Sequence, residues 1–235
     1  SIDAMEMLMH GRFKELDHGF DFYAPQVMMH EGRHILIGWM GMPDRETDYP
    51  SSEEGWMHSL TLPRVLTLRQ GHIFSEPARE LKALRHRETE RPLEAAGESE
   101  FSTTLYDLTE ILLDLTMGDA YSVSVELLFG LEKLVLRYDR LAQVMRIDRT
   151  GMKRGGRGER KFKLYAEQTL SLRMYVDRGA VEVFFQHGEE AATIALFPEK
   201  NIRPTMRIFS DVDMEQISGV LWELEPLHFE GERNG

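Results

Sequence analysis

The chain has 235 residues, of which 42% are hydrophobic and 29% charged, values of a folded chain with a sizeable core. Lys and Arg total 28 against 40 Asp and Glu, and the net charge of −12 argues against a general nucleic-acid binder or an anionic-membrane binder. The absence of cysteine excludes disulfides, thiolate metal sites and thiol catalysis. No apolar run reaches a membrane-spanning length. The N-terminal SIDAMEMLMH has neither the basic start nor the apolar run of a secretory signal. This points to a cytoplasmic protein, on the condition that Ser1 lies near the natural start.

In chain order, the first 75 residues read as aromatic-rich strands. Phe20 to Met29 and Arg33 to Met40 flank a Glu31-Gly32 turn; Leu62 to Arg69 and His72 to Ser75 flank Gln70-Gly71. Pro43 to Gly55 reads as a loop. Glu76 to Arg87 reads as a short helix, with Pro77 in its first turn and Leu81 and Leu84 on one side; Pro92 limits its continuation. A charged, apolar-poor linker then runs to about residue 97.

Beyond it the period is two. Leu170, Leu172, Met174 and Val176 alternate with Ser171, Arg173 and Tyr175; Asp177-Arg178-Gly179 turns; Val181, Val183 and Phe185 return against Glu182. Tyr121 to Phe129, Lys133 to Tyr138, Gln143 to Ile147, Lys161 to Tyr165, Ala192 to Phe197, Met206 to Phe209 and Gly219 to Glu225 follow the same grammar. Short strands separated by frequent turns predict a β-sandwich over residues 98–235. Its buried set is Val123, Val125, Leu134, Leu136, Leu172, Met174, Val181, Val183, Phe185 and Trp222.

Three features invite a functional reading. The basic loop Gly151 to Lys161 lacks the Gly-Lys-Ser/Thr ending of a P-loop and is followed by strands, so it reads as a solvated hairpin loop. The nine histidines show no metal-ligand spacing, which argues against a zinc site, and His58 and His72 read as surface or packing residues. Asp21 lies between two phenylalanines and next to Tyr23, where burial demands hydrogen bonds. Aromatic rings beside a polar anchor describe a sugar pocket, and equally a strand whose Asp caps a neighbouring loop. Trp39 and Trp56 fit either a core or a pocket lip.

The segment Leu16-Asp-His-Gly-Phe-Asp-Phe-Tyr-Ala-Pro-Gln26 resembles the DFYA-PQ segment of glycoside hydrolase family 32, the β-fructofuranosidases. Ile35 to Met40, Gly55-Trp-Met-His-Ser-Leu-Thr-Leu-Pro-Arg64, Pro77 to Leu81, Val176 to Phe184 and Phe197-Pro198 resemble later family blocks in the same order. The bacterial sucrose-6-phosphate hydrolase branch looks nearest. Val65 stands where the family usually has Glu, and Gly179 where it usually has Ser, the latter expected as a turn variant.

The resemblance implies an all-β fold: the last part of a five-bladed β-propeller in residues 1–75, a short helix and linker in 76–97, and the sandwich in 98–235. It also implies retaining cleavage of the β-fructofuranosidic bond of sucrose or sucrose 6-phosphate, without a cofactor. The family's nucleophile, transition-state-stabilising and acid/base motifs (NDPNG, RDP and EC) do not occur in this chain. No catalytic residue is therefore assigned. A retaining glycosidase needs two carboxyl groups roughly 5 Å apart, so the chain alone is expected to be inactive. The resemblance places Asp21, Tyr23 and Trp39 at the sugar site of the complete enzyme, with Asp21 and Tyr23 pointing the same way. The alternative is a free-standing β-sandwich that binds carbohydrate or a protein partner without catalysis.

Overall fold

The computed structural model describes residues 13–43 and 49–226, so part of the Pro43–Gly55 loop, and the sandwich expectation beyond residue 226, lie outside the described residues. Strands dominate, and no described helix is long and apolar enough to cross a membrane.

The first unit is one antiparallel sheet. Its strands are β1 (Tyr23–His30), β2 (Arg33–Met40), β3 (Ser59–Leu60), β4 (Arg64–Arg69) and β5 (His72–Pro77), ordered β1-β2-β4-β5 with β3 on β2. Both expected two-residue turns are present. Glu31 and Gly32 have φ of 50° and 72°, and Gln70 and Gly71 have 51° and 79°, the left-handed pair that matches strand twist in a tight hairpin.

The second unit holds β6 (Arg91–Ala95), β7 (Glu98–Thr104), β8 (Thr109–Thr116), β9 (Ser122–Phe129), β10 (Glu132–Asp139), β11 (Val144–Asp148) and β12 (Glu159–Lys163). It continues with β13 (Thr169–Val176), β14 (Ala180–Phe185), β15 (Glu190–Ala195), β16 (Thr205–Met214) and β17 (Gln216–Glu223). They form two six-stranded sheets, β12-β11-β10-β9-β16-β7 and β15-β14-β13-β8-β17-β6. Val123, Val125, Leu134 and Leu136 of the first sheet and Leu172, Met174, Val181, Val183 and Phe185 of the second belong to one buried cluster. Trp222 is also buried. The alternation read from sequence is the packing seen: odd positions of β14 enter the core, and Glu182 lies on the other face.

Three local expectations are corrected. Glu76 to Arg87 is not an α-helix: β5 runs through Pro77, and 3-10 turns follow at Arg79–Leu84 and Arg87–Thr89. Leu81 and Leu84, three apart, suit a three-residue turn, and Leu81 docks on Tyr175 and Phe184. The stretch expected as linker contains β6, an edge strand held by buried Leu93 and paired with β17. Gly179 is not in the left-handed region; a Cβ there would sit 3.7 Å from Trp56, an ordinary contact. The basic loop between β11 and β12 is anchored by Met152, which is buried in the core.

Candidate functional site: a charged joint beneath an aromatic file

The outer face of the β15-β14-β13-β8 sheet is polar by sequence, yet the first unit covers much of it. Two buried arginines make the join. Arg64 of β4 is 0% exposed. Its Nη1 donates to Asp17 Oδ2 (2.8 Å), and its Nη2 to Glu182 Oε2 (2.6 Å) and Thr193 Oγ1 (2.5 Å). The guanidinium lies 5.2 Å from the centroid of Phe22 and 5.1 Å from that of Phe184. Asp17 also accepts from the amides of Gly19 (2.8 Å) and Thr193 (2.9 Å), and Glu182 Oε1 from the Leu62 amide (2.6 Å). Every charge removed from water here has a partner, the condition on which burial of ions is tolerated.

The second join runs through Asp21. Its Oδ1 accepts from the Tyr49 hydroxyl (2.8 Å), and its Oδ2 from Arg149 Nη1 (2.6 Å) and the Ala195 amide (2.8 Å). Arg149 lies 4.1 Å from the Phe20 centroid and also donates to the Ala195 carbonyl. A third cluster lies nearby. Fully buried Glu110 accepts from Arg85 (2.7 and 2.8 Å), Arg173 (2.8 Å) and the Tyr175 hydroxyl (2.9 Å). Burial pushes the Glu110 carboxyl up, but the two guanidiniums outweigh it and hold the group below its ordinary range.

The three residues expected at a sugar pocket are not equivalent. Asp21 is 2% exposed and both its oxygens are taken by protein donors, whereas Tyr23 is 45% exposed. Asp21 lies in a bend before β1, which begins only at Tyr23, so the strand alternation that would have aimed the two side chains alike does not reach it. Asp21 thus serves the joint. Tyr23 and Trp39 stay together across β1 and β2, their rings 5.6 Å apart and edge-on.

The ring file continues inward. Trp39 meets His58 at 4.8 Å, and His58 meets Tyr49 at 4.8 Å, both edge-on, and Tyr49 ends on Asp21. His58 is the residue that sequence reading set aside as packing. It does pack, but its Nε2 is buried without a hydrogen-bond partner among the described residues. Sequence offered no signal for it, since Trp39, Tyr49 and His58 meet only through the fold. The file can stack against a ring or sugar face at Tyr23 and Trp39, and it places one unspent polar nitrogen behind them.

A separate cleft of about 620 Å³ lies between the Pro50–Trp56 segment and the loops at residues 177–180 and 197–204. Its cations are engaged: Arg154 with Glu53 (3.1 Å), Lys200 with Glu54 (2.9 Å) and, more loosely, Arg178 with Asp107 (3.9 Å). It offers a concave surface without the aromatic file.

Comparison with known proteins decides the family. The model described as "Glycosyl hydrolases family 32 N-terminal domain" matches residues 1–77, and "Glycosyl hydrolases family 32 C terminal" matches residues 80–222. The chain belongs to glycoside hydrolase family 32. It is 36% identical over 202 residues to a sucrose-6-phosphate hydrolase of Staphylococcus xylosus, covering 82% of this chain and 40% of that protein. It is 35% identical to the corresponding protein of Bacillus subtilis, covering 81% and 39%. Among solved structures, a sucrose-6-phosphate hydrolase from Lactobacillus gasseri matches with a TM-score of 0.71 and 26% identity, over 89% of this chain and 42% of that one. A Bombyx mori β-fructofuranosidase shares the fold with a TM-score of 0.80 at 22% identity, over 96% of this chain and 45% of that one. The chain therefore spans well under half the length of these family 32 proteins.

Proposed function

We propose that this chain is the C-terminal part of a cytoplasmic β-fructofuranosidase that cleaves sucrose or sucrose 6-phosphate by retaining double displacement. Its first sheet is the last part of a five-bladed β-propeller, and its two six-stranded sheets are the C-terminal sandwich. The observation that carries this reading is the asymmetry of the first sheet. One end is sealed to the second unit through Arg64. All eight residues of β1 are exposed, including Val27, Met28 and Met29, and Leu60, Leu68 and Ile73 are exposed beside them. An open apolar edge strand is the kind of surface natural proteins cover, and preceding propeller strands of the same enzyme are the cover proposed here. The same exposure counts against a free-standing sandwich.

In the complete enzyme Tyr23 and Trp39 line the sugar site, His58 Nε2 supplies a polar contact behind them, and Asp21 holds that wall in place through Tyr49. Without the nucleophile and acid/base motifs the 235 residues have no route to the covalent intermediate. Fructose release from sucrose, raffinose and sucrose 6-phosphate is the test. The isolated chain should release none, and release by a clean preparation would overturn the fragment reading.

A further inference from the structure

A second cluster of chemistry-bearing side chains lies away from the aromatic file, where β5, β15 and the N-terminal segment meet. His72, Glu189 and Glu190 each bring a potential ligand atom to within 4.8 Å of the others. They line an open groove of about 500 Å³ together with His18, Lys14 and Phe162. The histidine spacing argued against a metal because His72 and Glu189 are 117 residues apart and only the fold unites them.

The hydrogen bonds fix which atoms are free. His72 Nε2 lies 2.9 Å from the Glu189 carbonyl, which assigns it the proton and leaves the lone pair on Nδ1, and the Lys14 ammonium stands almost equally near both ring nitrogens, 3.0 Å from Nε2 and 3.1 Å from Nδ1. His18 Nε2 lies 2.8 Å from Glu190 Oε2, and its ring is held flat on Phe162 at 4.2 Å and 7°, leaving Oε1 as the unshared oxygen. Both arrangements are those that orient metal ligands: an imidazole whose other N–H is given to a backbone carbonyl, and a carboxylate held from behind. The Lys14 ammonium also stands 2.7 Å from Glu190 Oε1, the oxygen that His18 leaves open. The Glu189 carboxylate completes the set from the adjoining position.

We propose that His72, Glu189 and Glu190 bind a divalent transition-metal cation of the Zn²⁺ type, in competition with the Lys14 ammonium for Glu190. One imidazole and two carboxylates suit zinc, with water completing four-coordination. Lys14 acts as a resident competitor: its ammonium must leave Glu190 for the metal to take that oxygen.

Titration calorimetry of the chain with ZnCl₂ in a non-chelating buffer at neutral pH tests this, with circular dichroism on each variant as a check of fold. The wild type should bind one Zn²⁺. His72→Gln should weaken binding by about tenfold or more, and His18→Gln, through Glu190, by about tenfold. Lys14→Met should tighten it by about tenfold, as expected when a competing ion pair is removed. No Zn²⁺ binding by either the wild type or Lys14→Met up to millimolar metal would overturn the proposal. So would an affinity unchanged by His72→Gln, which would place the metal on other histidines, or a Lys14→Met variant that binds no more tightly.

Discussion

Replacing Arg64 by Met removes the centre of the first joint while keeping a side chain that fills much of the same space. The loss does not fall evenly. Asp17 retains the Gly19 and Thr193 amides and the Thr193 hydroxyl, whereas Glu182 Oε2 loses its only charged donor and keeps just the Leu62 amide on the other oxygen. Breaking one side of a buried pair costs about 3–5 kcal/mol, because a desolvated charge is left behind. A chain of this size loses about 2–4 °C of Tm per kcal/mol, so a fall of roughly 6–20 °C is expected. The deficit should depend on pH. Burial already holds the Glu182 carboxyl above its ordinary range, against the pull of Arg64. Removing Arg64 raises it further above an unfolded value of about 4.3. A group whose folded pKa is raised contributes its full stability below the unfolded pKa and loses it as pH rises through the folded pKa. The Arg64→Met deficit should therefore grow as pH rises above the unfolded carboxyl value of about 4.3 and through the raised folded one. Adding Glu182→Gln should flatten that dependence, and the double variant should be more stable than the two single losses predict, by about 1–3 kcal/mol. Urea unfolding followed by tryptophan fluorescence at several pH values measures all of this. A cost below about 1 kcal/mol, or strict additivity with Glu182→Gln, would refute the account of a buried charge left without its partner.

Other outcomes are expected. On the proposed function the Tyr23 hydroxyl donates to the carboxylate nucleophile of the complete enzyme, and losing a hydrogen bond to a charged partner costs roughly 1.5–3 kcal/mol, so Tyr23→Phe should lower kcat/KM by about tenfold or more; unchanged kinetics would remove Tyr23 from the site. Glu110 has its folded pKa lowered by Arg85 and Arg173, so its stabilisation is present above its unfolded pKa and fades as pH falls through the folded one. Glu110→Gln should thus cost stability at pH 7 and much less at pH 3, read from denaturant midpoints. A Cβ on Gly19 would fall 1.9 Å from the Thr193 carbonyl, which is backbone and cannot swing aside, so Gly19→Ala should destabilise by about 1–3 kcal/mol in thermal melts.

Sequence read best where one face was apolar and the other polar. The β13–β14 hairpin is the clearest instance, since Leu172, Met174, Val181 and Val183 sit on the core side as the period of two requires. β8 escaped because Ile111, Leu112 and Leu113 form an unbroken apolar run in a strand flanked on both edges, and alternation is lost there. β6 escaped because Leu93 is its one buried apolar anchor in a charged, Pro-containing stretch. The apparent helix at Glu76 to Arg87 rested on Pro77 as a first-turn residue and on one i, i+3 leucine pair; Pro77 instead ends β5, and a 3-10 turn satisfies the leucine pair equally. At the site, Asp21's need for partners was legible from its aromatic neighbours. The partner itself, Arg149, was not, because 128 residues separate them. His58 stayed hidden for the same reason.

The charged joint also sets a rule of inheritance for the two units. Arg64 and Asp17 come from one part of the chain, Glu182 and Thr193 from another, and each is buried only on condition that the others are present. A second unit grafted from a distant relative would arrive carrying its own residue at the position of Glu182. If that residue were neutral, Arg64 would meet only half its countercharge; if basic, the graft would be expelled. The seam therefore works as a compatibility test between the two halves of the protein, and substitutions on its two sides are expected to travel together.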